Sequence, residues 1–318
     1  MDDVIFDPAA ALPRLGRLRA ALAARDWAAA RRLTDEAGPV ERTLLLLYAE
    51  PADPEGFLGH VLSLDPDDST AAALLAQHRV RAAWDIRTGA PASRVSEEQF
   101  RGFEDGLQRA EWVLVEAAAR RPDDPTLWVI RLATTRGLGL GTAEARRRYD
   151  RLAAIDPGHL PGQRELLQSL CPKWGGSWPA ATAFVQECVA AAAPGSLTPV
   201  LVVERCVEQW LELHQTDPAA GARSLREAAV QAEIHAAAQQ SVWHPAFVPA
   251  PGWVRVLSTF ALVYSEVGDQ QAAAELFRRL GPLASEAPWT FFSSDPAGLV
   301  RQARAAAFAG AGAGQVRR

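Results

Sequence analysis

The chain has 318 residues, 48% of them hydrophobic, and carries 38 acidic against 33 basic side chains for a formal charge of -5. This length and apolar content support one large core or two ordinary ones and exclude a disordered chain. The acidic balance argues against a dominant nucleic-acid surface, which needs clustered positive charge to displace counterions from phosphates.

The first residues, Met1-Asp2-Asp3-Val4-Ile5-Phe6-Asp7, are acidic where a secretory signal is basic, and no apolar run reaches the length of a bilayer span. A cytoplasmic protein with no membrane partner is the expectation. From there on, apolar residues recur at spacings of three and four between Asp-Pro, Gly and Pro breaks, and β-branched alternation is scarce. The spacing predicts helices over 12–24, 26–37, 39–49, 54–64, 67–88, 96–121, 124–136, 142–155, 159–171, 176–193, 198–215, 217–240, 252–267, 269–284 and 295–309. Val200, Val203, Val207, Trp210 and Leu211, for example, share one helix face. Two inserts interrupt the rhythm, Thr88 to Gln99 and Ser241 to Gly252. The second marks a possible sub-boundary at 241–251 in what otherwise reads as a single helical array over 1–309. The glycine-alanine run from Gly310 predicts a disordered tail over 310–318.

The helices pair, and the pairs repeat. From Leu257 to Pro288, the residues Tyr264, Gly268-Asp269, Ala273 and Phe277 supply an aromatic on the first helix, a tight turn, a small residue where two helices touch, and a second aromatic. Thr126 to Pro157 repeats the pattern with Trp128, Ala145, Tyr149 and the closing Ile155-Asp156-Pro157. Arg25-Asp26-Trp27 followed by Ala30 gives a weaker copy, and Leu64-Asp65-Pro66 and Arg121-Pro122 close others. On these residues the chain resembles tetratricopeptide-like proteins over most of its length. The resemblance implies an all-α fold, a right-handed superhelix of antiparallel helical hairpins, with a groove of the kind that takes a peptide or protein segment.

The most distinctive stretch is Leu170-Cys-Pro-Lys-Trp-Gly-Gly-Ser-Trp178, which holds the only lysine of the chain. Two readings of it stand side by side. In the first, Gly175 and Gly176 turn the chain between two helices, Ser177 caps the second, and Trp174 and Trp178 staple the corner. In the second, the free amides of the following helix, with Lys173 beside them and Trp174 as a flat wall, hold a carboxylate or phosphate on a partner or a small anionic ligand. Arg164 and Gln168, one turn apart on the preceding helix, then line the same groove. The segment also resembles a bacterial family of unknown function whose helical-repeat members carry a Lys-Trp-Gly-Gly-Ser run after a proline. That resemblance covers about residues 120–195 and implies no activity.

Among the ten tryptophans, Trp27, Trp84, Trp112, Trp128 and Trp210 fall on apolar helix faces and are expected in the core, whereas Trp243, Trp253 and Trp289 adjoin proline-rich loops, where corner packing is the expected role and contact with a partner the alternative. Gly137-Leu-Gly-Leu-Gly-Thr142 lacks the strand context of a dinucleotide-binding loop. Arg146, Arg147, Arg148 and Arg151 read as a solvated helix face balanced by Glu144 and Asp150. Cys171, Cys188 and Cys206 never form a CxxC pair, so neither a disulfide framework nor a zinc site is indicated, and all three are expected reduced and buried. No cofactor or metal is implied. The expected function is a non-enzymatic interaction or scaffold protein that binds a peptide or protein segment in a concave groove near residues 160–210. The alternative is a small-molecule-binding or catalytic module centred on Lys173, with Glu204 or Glu208 as acid or base.

Overall fold

A computed structural model describes residues 3–88 and 94–315. Among these the chain forms 17 α-helices and no strand. They are α1 (Pro13–Ala23), α2 (Trp27–Asp35), α3 (Pro39–Tyr48), α4 (Pro54–Leu64), α5 (Ser69–Arg87), α6 (Glu97–Arg120), α7 (Pro125–Gly137), α8 (Gly141–Ile155), α9 (Leu160–Leu170), α10 (Trp178–Ala191), α11 (Val200–Thr216), α12 (Pro218–Ser224), α13 (Ala228–Gln240), α14 (Trp253–Val267), α15 (Gln270–Leu280), α16 (Glu286–Trp289) and α17 (Pro296–Gln315). Residues 89–93 of the first insert lie outside the described residues. The chain divides into two compact units, one of Leu12–Ala180 and one of Ala181–Arg318 with Met1–Ala11. The division falls within α10 and not in the insert at 241–251.

In the first unit α1 pairs with α2, α5 with α6, and α7 with α8, while α3 lies against α5, α7 and α9. Ala30 and Ala145 are fully buried, as expected of small residues where helices touch. Short polar residues start the helices by accepting first-turn amides: Asp26 from Ala29 (2.9 Å), Asp68 from Ala71 (3.0 Å) and Asp124 from Thr126 (3.0 Å). Ser96 and Gln99 form a reciprocal capping box at the start of α6.

Two of these capping aspartates, Asp68 and Asp124, are buried, and so is His159 at the corresponding place before α9. They belong to one polar seam. Arg31 of α2 donates to Asp68 (2.7 Å) and Thr70 (3.2 Å), and Trp27 donates its indole N–H to Asp68 (2.9 Å). Arg42 of α3 donates to Asp124 (2.7 Å), Thr126 (3.0 Å) and Thr70 (3.0 Å), so one guanidinium bridges the starts of α5 and α7. The next residue, Thr43, bonds Thr126 (2.8 Å) and the Nε2 of His159 (3.1 Å), extending the seam to α9. Buried polar groups are tolerable only when bonded in this way.

The second unit is built on α11, which packs against α12, α13 and α14, and on α14, which packs against α15 and α16. Tyr264, Ala273 and Phe277 are buried, Gly268 ends α14 at φ 86°, and Asp269 caps α15 through the Ala272 amide (3.0 Å). Positive φ is what makes glycine suitable at that turn. The segment before α1 also belongs here: Ile5 donates to Pro282 O (2.9 Å) and accepts from the Ala284 amide (3.0 Å). The helix expected over 217–240 is broken into α12 and α13, with Leu225 buried at the break and Arg226 bonded to the Glu266 carbonyl (3.0 Å). At the other end α17 continues through Gly310 to Gln315, where composition alone predicted disorder.

The seam makes two predictions. Replacing Arg42 by Ala strands Asp124 as a buried, unpaired carboxylate, and breaking a buried pair in this way costs about 3–5 kcal/mol. Chemical denaturation should show that loss, and a loss under about 1 kcal/mol, the scale of surface pairs, would contradict the seam. His159 supplies the second. Its desolvation pushes the imidazole below its ordinary value of 6.5, against the opposing pull of Asp156 and Asp124. The folded state then binds fewer protons than the unfolded chain, so the contribution is intact above about pH 6.5 and is lost as pH falls through the lower folded value. His159→Asn should flatten the difference in unfolding free energy between pH 7 and pH 5 relative to the parent, and equal slopes would refute the assignment.

Candidate functional site

The Lys-Trp-Gly-Gly-Ser-Trp stretch forms a corner between α9 and α10. Pro172–Trp174 is a single 3-10 turn, ended by Gly175 at φ 84°, and Gly175 and Gly176 donate back to Pro172 O (2.9 Å) and Cys171 O (3.2 Å). A side chain at Gly176 would place its Cβ 2.1 Å from the Leu170 carbonyl oxygen, so only glycine fits there. The Ser177 hydroxyl accepts from the Ala180 amide (3.3 Å) and caps α10. Trp174 is half-buried, meets Trp84 edge-on at 5.9 Å and lies under the Arg136 guanidinium, 5.9 Å from the ring centre. Trp84 in turn packs on Phe103 at 4.7 Å. Trp178 is half-buried. Gly175, Gly176, Ser177 and Trp174 thus have structural roles in the corner, and Lys173 is exposed on it. On α9, Arg164 is only 8% exposed and Gln168 is half-buried. The burial of Arg164 leaves little of it to line an open groove beside the corner, the role the second reading gives it.

A different place in the same unit is concave and charged. A groove of about 450 Å³ is lined by Ala118 and Ala119 at the end of α6, by Trp128 and Arg131 of α7, and along α8 by Glu144, Arg147, Arg148 and Arg151. Helices α6 and α8 both pack against α7, which supplies the floor. Trp128 is fixed by its indole N–H to Pro122 O (2.9 Å), with the Arg131 guanidinium over its ring at 5.1 Å. Arg148 is only 5% exposed: Glu144 (2.7 Å) and Glu111 of α6 (2.9 Å) hold it, and Glu111 also pairs with Arg131 (3.0 Å) and accepts from Thr134 (2.6 Å).

The four guanidinium groups of the lining face one lining carboxylate. Burial pushes Glu144 upward, but hydrogen bonds from Arg148 and Arg147 and their charges outweigh it, so its carboxyl sits below its ordinary value and stays ionised at neutral pH. Arg147 is 73% exposed even though it pairs with Glu144 (2.7 Å). Arg151 is exposed and forms no ion pair among the described residues. The groove therefore has two more guanidinium groups than Glu111 and Glu144 can balance, with Arg147 and Arg151 at its exposed side, an arrangement that suits an anion.

The run of arginines is in part the solvated face that the sequence predicts, with Arg147 and Arg151 exposed and Arg146 paired to Asp150 (2.8 Å), but Arg148 is buried against the groove. The available signal was that Arg147, Arg148 and Arg151 share one face of α8, opposite Trp128 and Arg131, three apart on the paired helix α7. One tryptophan assignment is corrected: Trp112, expected in the core, is 68% exposed on α6. Trp289 takes the corner-packing role expected for it, buried against Phe277 at 6.2 Å. Trp210 is buried as expected and stacks on Phe292 at 4.0 Å. All three cysteines are free and buried, and burial pushes the Cys206 thiol up to about 11, far from a nucleophilic thiolate. Among the described residues no cluster of three His, Cys, Asp or Glu side chains is placed to hold a metal ion, and no helix is long and apolar enough to cross a membrane.

No protein-family model and no curated protein matches the chain. Among solved structures, a monomeric mutant of IFIT1 with Gppp-AAAA is similar at 15% identity and a TM-score of 0.39, covering 80% of this chain and 55% of that one. The chain thus spans about half the length of that protein's chain. A likeness so distant leaves the ligand to be read from the residues of this chain.

Proposed function

We propose that the chain is a non-enzymatic helical-repeat binding protein that holds a segment of another protein in the arginine groove between α6, α7 and α8. The observation that carries this reading is the excess of guanidinium groups over Glu111 and Glu144, with Arg147 and Arg151 at the exposed side of the groove. Arginine and tryptophan are the side chains that interfaces favour, and both are gathered here. The groove is lined by residues between 118 and 155, ahead of the 160–210 stretch where the sequence predicts a partner surface, and that stretch is divided between the two units. The alternative, a catalytic Lys173, has less support: a lysine nucleophile needs burial or a close positive charge, and this side chain is exposed on a turn. Glu204 and Glu208 belong to the other unit.

The test is affinity capture with crosslinking, using the tagged protein and two double variants of verified helicity. Arg147→Glu with Arg151→Glu should abolish recovery of a specific companion protein, while Lys173→Ala with Trp174→Ala should retain it. The opposite pattern would return the working surface to the α9–α10 corner. A companion unaffected by either pair would refute both surfaces.

A further inference from the structure

Next to the groove, α6 leaves a large apolar side chain in water. Trp112 is 68% exposed and Val115 46% exposed. A helix repeats its face every seven residues, so Trp112, Val115 and Ala119 form one stripe, and Ala119 is already part of the groove lining. The stripe and the groove are tied rigidly together, because Glu111, the neighbour of Trp112, holds both Arg131 and Arg148. An apolar ridge therefore leads directly into a cationic groove.

We infer that the partner segment is an acidic peptide with one aromatic or large aliphatic residue, its carboxylates on Arg147 and Arg151 and its apolar side chain on the Trp112–Val115 ridge. This rests on the binding reading above and specifies its chemistry. Guanidinium groups match carboxylates through paired N–H donors. The ridge gives a peptide side chain a surface that a free phosphate has no means of using; a single-stranded nucleic acid has bases that stack on an indole, and against it stands the charge of the chain. A long polyanion also meets an acidic protein outside the groove, since the chain carries a net charge of -5. From Trp112 to Ala119 the helix rises about 10 Å, which about three residues of extended peptide cover. The recognised pattern is then an apolar residue about three positions from a pair of acidic residues.

The probes are fluorescein-labelled twelve-residue peptides read by anisotropy: one with Phe three positions before a Glu-Asp pair, one with Ser in place of Phe, and one with the acidic pair changed to Gln-Asn. A single-stranded oligoadenylate of equal charge is the competing probe. The Phe-acid peptide should bind and weaken steeply as salt rises. Arg147→Glu with Arg151→Glu should weaken it by at least about tenfold, the scale of losing buried or rim charge pairs. Trp112→Ser should weaken the Phe peptide by about fivefold and leave the Ser peptide unchanged, as loss of one aromatic anchor does. Equal binding of all three peptides, or preferential binding of the oligoadenylate, overturns the inference. If no peptide binds while the Arg147 and Arg151 changes still abolish companion capture, the peptide chemistry is wrong and the binding surface stands. If capture is also indifferent to those changes, both are wrong.

Discussion

The first unit depends on a buried row of helix starts. Asp68, Asp124 and His159 occupy equivalent places ahead of α5, α7 and α9, and α3 sends Arg42 and Thr43 in among them. Ion pairs of this kind contribute little net stability, because desolvating both charges offsets most of their attraction. Their effect is on register. A slip of α7 by one turn, about 5.4 Å, would leave Asp124 and Thr126 without their partners, and a stranded buried charge is far more costly than a lost contact. The seam thus sets where α7 lies, and α7 supplies the floor of the groove. A second ionic lattice, from Glu111 through Arg148 to Glu144, then sets α6 and α8 on either side.

Much of this fold is legible in the sequence because its signals are local. Apolar spacing, Asp-Pro breaks and capping residues act within one or two turns, so the edges of α3, α4 and α7 fall within a residue or two of expectation. The Ala145–Tyr149 and Ala273–Phe277 pairs are buried as the repeat pattern requires. The misses come from contacts between distant residues. Nothing near Leu225 announces the break between α12 and α13, since the bond from Arg226 to Glu266 spans 40 positions. The tie between Ile5 and residues 282–284 is longer still.

The site was less legible for the same reason. Arg148 has the composition of a surface residue and reads as one beside Glu144 and Asp150. It is buried because Glu111, 37 positions earlier, reaches it across the groove. Trp112 presents the converse case: its spacing fits an apolar face, but the helix that would cover that face is absent among the described residues, so the indole stays in water. The single lysine is distinctive by rarity, which is a property of composition. The corner around it is explained by one αL glycine, one close backbone approach and one capping serine.

The central claim is that the arginine groove, with the ridge beside it, is the working surface, and the tryptophans report on it directly. Their ten indole N–H groups are separate probes in a nitrogen-proton correlation spectrum of the full chain titrated with the Phe-acid peptide. The account predicts that Trp112 and Trp128 shift progressively with peptide while Trp174 and Trp178 stay in place. Shifts confined to Trp174 and Trp178 would contradict it and move the site to the corner between α9 and α10.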